Sequence, residues 1–217
     1  MDPRLVPEVV RASHAWGIRV AAPVETAVDF RVALNAGVDI IAHLPGQRIG
    51  EAAGYTPEAP TDRFLLTPAH AQQARREGTL VETTIMASRA LPTPGDPTQQ
   101  AIRAIFRQNA EPLRRSRVHV IVGSDLYAGT VVNEALMLGH QSLAPGLEPF
   151  GIFDNADLLR LWTMETPRAI FPHRRVGSLL SGSEANLLVL GGNPIADLSN
   201  VRRIVRRMKG GRLLDAG

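Results

Sequence analysis

Gly37-Val38-Asp39-Ile40-Ile41-Ala42-His43-Leu44-Pro45-Gly46 is the stretch on which the fold turns. A glycine closes a helix, an apolar run rich in β-branched residues follows, and a histidine then enters a Pro-Gly turn. The helix before it is equally legible. Thr26 is an N-cap with Asp29 three residues on, and Ala27, Phe30 and Leu34 keep helical spacing up to Gly37. Before that helix lies another β-branched run, Ile18 to Ala22. Thr67-Pro68 starts a further helix that runs to Gly78, and Thr79 to Ile85 reads as its strand. Asp96-Pro97 opens a helix with Ile102, Ile105 and Phe106 on one face, which Pro112 is expected to end or kink. His119 to Val122 is the fourth strand, with helices expected at Val131–Leu138 and Asn155–Glu165. Strands alternating with helices predict an α/β protein with a parallel sheet: four β/α units, half of an eightfold barrel. A doubly wound open sheet is the competing architecture, but no Gly-rich phosphate loop follows any strand.

The rhythm changes near His173. Asn186 to Leu190 and Val201 to Met208 read as strands, Gly191-Gly192-Asn193-Pro194 as a turn, and Gly210-Gly211 as a hairpin turn. The expected domains are therefore residues 1–172, the β/α part, and 173–217, a β-rich segment.

With 217 residues, 44% hydrophobic, the chain can bury a substantial core. It has no cysteine, which excludes disulfides and thiolate metal sites, so any metal must be held by His, Asp or Glu. No run approaches the roughly 20 apolar residues of a membrane span. Met1-Asp2-Pro3-Arg4 is not followed by the apolar segment of a signal peptide, so a cytoplasmic location is expected. The paired arginines (Arg114-Arg115, Arg202-Arg203, Arg206-Arg207) read as solvated surfaces, and neither a nucleic-acid nor a membrane partner is expected.

Catalytic residues of a parallel barrel lie at the C-terminal ends of its strands. Standing there are Pro23 and Glu25, then His43, then Glu82, Thr83 and Thr84, then Asp125. His43 is either a metal ligand or a histidine satisfied by a backbone carbonyl. Asp125, in Val-Gly-Ser-Asp-Leu-Tyr, is either a metal-binding or proton-accepting carboxylate or a turn aspartate. Residues 44 to 66 form a long loop near these positions, and its Arg48, Tyr55 and Arg63 are candidates to touch a substrate. His14, His70, His119, His140 and His173 are read as structural.

The order of these pieces resembles the amidohydrolase superfamily, especially its imidazolonepropionase-like branch. The resemblance rests on Gly37 to Gly46, on Gly123-Ser124-Asp125 and on the tail. The tail reads Val176-Gly177-Ser178-Leu179-Leu180-Ser181-Gly182-Ser183-Glu184-Ala185-Asn186-Leu187-Leu188-Val189-Leu190, then Gly192-Asn193-Pro194-Ile195-Ala196-Asp197 and Met208-Lys209-Gly210-Gly211-Arg212. It spans roughly residues 5 to 215. It implies the last four units of a TIM barrel plus one side of a β-sandwich, and a metal-bound hydroxide that attacks a carbonyl or imine carbon. His43 would be the metal ligand of strand six. Asp125 would be the strand-eight aspartate that both binds a divalent metal, zinc being expected, and carries the proton. Glu165-Thr166-Pro167 would be a packing motif.

Two departures stand out. The chain has no His-x-His pair and no counterpart of the first four units. Where relatives carry a histidine at the end of strand five, Val20-Ala21-Ala22-Pro23-Val24-Glu25-Thr26-Ala27 has proline, which offers no donor to a metal. Lys209, the sole lysine, lies in the tail rather than in a barrel strand. The expected activity is hydrolysis of carbon–nitrogen bonds other than peptide bonds, in cyclic amides or related small molecules, with the metal site incomplete in this chain. The alternative is a non-catalytic or split-subunit descendant. A half-barrel leaves two sheet edges and one sheet face uncovered, so a complementary N-terminal half or a second copy is the expected partner.

Overall fold

A computed structural model describes residues 2–46, 61–85, 97–125, 131–140 and 149–214. Arg48, Tyr55 and Asp96 lie outside the described residues. The chain forms two compact units, Met1–Thr130 and Val131–Gly217. This division precedes the change of pattern near residue 172.

The first unit alternates helix and strand: α1 (Val6–Ala15), β1 (Ala21–Pro23), α2 (Ala27–Ala36), β2 (Ile40–Ala42), α3 (Pro68–Glu77), β3 (Leu80–Glu82), α4 (Pro97–Arg115) and β4 (Val120–Ile121). The strands form one parallel sheet in chain order. The strands are shorter than the β-branched runs suggest. At Ile18 to Val20 the reason is visible, because the Val20 N–H is taken by the Asp39 carboxylate at 2.7 Å instead of a ladder partner. The same carboxylate oxygen stands 2.8 Å from His14 Nε2, tying the end of α1 to the start of β2.

Both expected N-caps form. Thr26 and Asp29 make a reciprocal capping box, and Thr67 pairs in the same way with His70, whose Nδ1 accepts the Thr67 N–H at 3.2 Å. Burial pushes the His70 imidazole pKa down, with Arg31 adding to the effect, which favours the neutral ring over the charged one. Pro112 lies inside α4 rather than ending it, and the helix continues to Arg115. The carbonyl that loses its partner belongs to Gln108, an exposed residue, so water can satisfy it.

Consecutive helices pack side by side, α1 on α2, α2 on α3 and α3 on α4. Phe30 and Leu34 of α2, Ala71 and Ala74 of α3, and Ile102, Ile105 and Phe106 of α4 are buried with Ile41 and Val81 of the central strands. Each large side chain buried there contributes roughly 1.5–3 kcal/mol, so this face carries the stability of the unit. The opposite face is more open: Ala21 and Pro23 are exposed, and Ile40, Ala42, Leu80 and Glu82 only half-buried.

In the second unit come α5 (Val131–Leu138), α6 (Asn155–Arg160, capped by Asp154), a wider helical turn over Leu161–Glu165 and α7 (Thr166–Ile170). The helical path thus runs past the expected end at Glu165. An antiparallel sheet follows: β5 (Leu187–Leu190), β6 (Ile204–Lys209) and β7 (Arg212–Leu214), with Gly210 and Gly211 as the hairpin turn. The strand expected from Val201 begins only at Ile204. Asp197 caps a short 3-10 turn over Leu198–Arg202 by accepting the Ser199 N–H at 2.9 Å. Leu188, Val205, Leu213 and Leu214 of this sheet are exposed.

The four described α-helices of the first unit end alike. A left-handed residue turns the chain, and the next N–H reaches back into the last helical turn: Ile18 to Ser13, Val38 to Ala33, Thr79 to Ala74 and Val118 to Leu113. The left-handed residue is Gly17, Gly37 and Gly78 in three cases, but Arg117 (φ 53°) in the fourth. A side chain costs roughly 1 kcal/mol there. Arg117→Gly is expected to stabilise the protein by up to about 1 kcal/mol, read by chemical denaturation. A loss of stability would mean that the arginine side chain outweighs the strain.

Candidate active site

The register levels the strand ends. Pro23 pairs with Ala42, Ala42 with Glu82 and Glu82 with Ile121, one row across all four strands. Just beyond this row the backbone turns left-handed at three non-glycine residues: His43 (φ 75°), Thr84 (φ 46°) and Asp125 (φ 48°). Such conformations are costly, most of all for a β-branched threonine, and they cluster where function fixes a side chain.

These turns bring His43, Thr84 and Asp125 together although 41 residues separate the first two. His43 Nδ1 lies 2.7 Å from Thr84 Oγ1. His43 Nε2 lies 4.0 Å from Asp125 Oδ2, with the imidazole largely buried and the carboxylate half exposed. One ring nitrogen is therefore engaged and the other faces the carboxylate. Both sequence-predicted site residues, His43 and Asp125, thus meet in space.

Glu82 completes the cluster. Its carboxyl lies over Gly123: a Cβ on that glycine would stand 1.7 Å from Glu82 Oε1. Gly123 is thus glycine because the acid needs its space. Burial, and next the Asp125 carboxylate, push the Glu82 pKa above its ordinary value of 4.5. Among the described residues no arginine or lysine forms an ion pair with Glu82 or Asp125.

The turn after His43 is held from behind. Asn109 of α4 is fully buried, and its Nδ2 donates to the Pro45 and Phe64 carbonyls at 3.2 and 2.9 Å. Its Oδ1 accepts the Leu66 N–H at 2.7 Å. The Gly46 N–H also donates to the Glu25 carbonyl at 3.0 Å, linking this turn to the end of β1. Sequence reasoning placed Glu82 at a strand end but gave it no role, and it did not name Asn109, whose one available signal was a lone amide among the apolar positions of an amphipathic helix.

The 4.0 Å between His43 Nε2 and Asp125 Oδ2 is wider than the roughly 3.3–3.5 Å that separates two ligands of a tetrahedral zinc. The Thr84 hydroxyl is the kind of partner that orients a ligating imidazole. A closed zinc site nevertheless needs three protein donors. Pro23 supplies none, and among the described residues no three His, Asp or Glu side chains are gathered closely enough to hold an ion. The donors of this chain do not by themselves fit a metal, and no step is derived through one. No helix among the described residues is long and apolar enough to cross a membrane.

The fold is similar to that of solved amidohydrolases and prolidases. No family model matches the sequence and no curated protein matches it, whereas solved structures do. A crystal structure of an amidohydrolase superposes with a TM-score of 0.72 at 18% identity, over 100% of this chain and 49% of that one. An Xaa-Pro dipeptidase with bound methionine in its active site gives 0.65 at 21%, over 100% and 49%. The ochratoxinase of A. niger gives 0.70 at 16%, over 100% and 46%. At these identities the likeness is one of fold, and it fits the C-terminal half of the amidohydrolase fold. The chain spans about half the length of these structures.

A carboxyl whose pKa is raised by folding stabilises the protein while protonated, and that contribution is lost as pH climbs through the folded pKa. Glu82→Gln is therefore expected to raise the melting temperature of the metal-free protein at pH 7 and to leave it unchanged at pH 4. An equal change at both pH values would mean that burial of the charge is not the cause.

Proposed function

We propose that this chain is the C-terminal half of a TIM-barrel hydrolase that cleaves carbon–nitrogen bonds in small molecules. In this reading β1 to β4 are the last four barrel strands and residues 173–217 are one side of a β-sandwich. The observation that carries it is the meeting of His43, Thr84 and Asp125 at level strand ends, all three in left-handed turns. The half-open sheet face, with Pro23 and Ala21 exposed and Glu82 half-buried, is the face that would line the barrel interior.

Asp125 takes a proton from the attacking water while the water oxygen bonds to the carbonyl or imine carbon. When the carbon–nitrogen bond breaks, Asp125 returns that proton to the leaving nitrogen. His43, oriented by Thr84, fixes the position of the reacting group. A divalent metal, zinc by preference, belongs to this reading, with His43 and Asp125 as this chain's share of its ligands and the remainder on the first half of the fold. That half, or a second copy of the chain, is the partner, and the setting is cytoplasmic. The expected substrates are cyclic amides and related molecules. The names of the structural neighbours, an amidohydrolase and a dipeptidase, support the bond class and extend it to amides of amino acids.

One observation favours a second reading. Pro23 removes a donor from the strand-end row, as a non-catalytic descendant would permit. Two measurements separate the readings. With the first half of the fold and zinc supplied, hydrolysis of cyclic amides or N-acyl amino acids is expected, at least about 100-fold slower in Asp125→Asn. Turnover untouched by that change would remove Asp125 from the chemistry. Pro23→His is expected to tighten zinc binding about tenfold in competition with a chelator, a gain of about 1.4 kcal/mol. Equal affinities would mean that the strand ends do not converge on one ion.

A further inference from the structure

We propose that Asn109 is a positioning residue of this site: it pins the peptide between Pro45 and Gly46, and through that peptide it holds His43 in the left-handed turn that brings the imidazole to Thr84 and Asp125. The inference rests on the hydrolase reading for its effect on turnover, while its geometry is tested without turnover.

Asn109 stands where a packed helix face calls for an apolar residue. It follows Ile102, Ile105 and Phe106 at helical spacing and precedes Leu113, all of them buried. Asparagine is a weak helix former, and a buried amide is costly unless its polar atoms are bonded. Here the oxygen and both amide protons are used. Nδ2 donates to the Pro45 and Phe64 carbonyls at 3.2 and 2.9 Å, and Oδ1 accepts the Leu66 N–H at 2.7 Å. All three partners are backbone groups, and they lie at the two ends of one connection, between β2 and α3. None of these bonds returns to α4, so the amide neither caps nor bridges its own helix.

Few free rotations separate that amide from His43. The peptide whose carbonyl accepts from Asn109 also donates its N–H, that of Gly46, to the Glu25 carbonyl at 3.0 Å. One peptide plane is thus held at both ends, by α4 and by the residues after β1. Pro45 fixes its own φ at about −65°, and the residue before a proline, here Leu44, is pushed to extended backbone. Leu44 is itself buried. The rotation that remains is chiefly that of His43, whose φ is 75°. A histidine does not keep that conformation without support from its surroundings. With the backbone so placed, Nδ1 meets Thr84 Oγ1 at 2.7 Å and Nε2 faces Asp125 Oδ2 at 4.0 Å. Asn109 therefore acts on the imidazole through the backbone of the turn.

The test uses the full chain with labelled histidine, in proton–carbon NMR, the His43 ring being assigned by its loss in His43→Gln. The parent should give one sharp set of His43 ring signals with a nuclear Overhauser contact to the Thr84 methyl group. Asn109→Leu keeps the shape without the hydrogen bonds, and Asn109→Asp replaces both donor protons by an oxygen that faces two carbonyls. Both should weaken the His43–Thr84 contact at least about fivefold, while the His14 and His119 rings stay in place. Ile105→Val, which loosens α4 one turn earlier and leaves the pinned peptide alone, should preserve the contact. Parent-like His43 signals in a folded Asn109→Leu or Asn109→Asp, or loss of the contact in Ile105→Val as well, would overturn the proposal. Should neither Asn109 variant fold, hydrogen exchange in the parent decides. The Asn109 side-chain protons and the Gly46 and Leu66 N–H groups should open as one unit. A Gly46 N–H that opens at least about tenfold more often than the Asn109 amide would show that the amide does not hold the peptide. With the first half of the fold and zinc supplied, kcat should fall about tenfold in Asn109→Leu while KM stays within about twofold. Loss of the contact with kcat unchanged would also overturn the proposal. An intact coupling of Asn109 to His43 in a protein that hydrolyses nothing would refute the hydrolase reading and leave the positioning role standing.

Discussion

The parallel, unshifted pairing of β1 to β4 is the constraint on which the site depends. Each strand gives only two or three residues to the ladder, so a slip of one residue anywhere would send the side chains of that strand to the other face. The register is set by burial: Ile41 and Val81 must point into the packed helices, and that choice turns Ala42 and Glu82 to the opposite side. The site residues are therefore placed by the core, although they do not belong to it.

Packing alone does not hold the turns beyond the strands. His43, Thr84 and Asp125 are kept in conformations that isolated residues avoid, so surrounding structure must supply the stabilisation. For His43 the supports are visible. Asn109 holds the Pro45 carbonyl from below, Gly46 is tied to Glu25, and Thr84 fixes the imidazole itself. A buried amide satisfied by three hydrogen bonds is stabilising only when all its partners are present, so this corner is rigid as a whole or not at all.

The two sides of the sheet divide the labour. The helix side is closely filled with aromatic and branched side chains, and the other side is half-open and carries the acids and the histidine. The small antiparallel sheet of the second unit likewise leaves Leu188, Leu213 and Leu214 exposed. A polar, open face on a stable support is the usual arrangement of an α/β site, in which chemistry is attached to a scaffold that does not need it.

The sequence by itself determined whatever depends on neighbours along the chain. Thr26 with Asp29 and Thr67 with Pro68 start helices, Gly37 and Gly78 end them, and the runs between read as strands, because capping and handedness act over three or four residues. The absence of cysteine and the proline at position 23 limit the metal chemistry in the same local way. The sequence also ranked His43 and Asp125 as strand-end residues, but it left open whether either had a partner. Only the tertiary structure decided that His43 meets Thr84 and Asp125, that Gly123 makes room for Glu82, and that Asn109 braces the turn after β2. It also decided where the ladders begin, since Asp39 takes the Val20 N–H that a longer β1 would have used. These contacts join residues 19 to 82 positions apart, and their strength depends on register, burial and dielectric surroundings that no local pattern encodes.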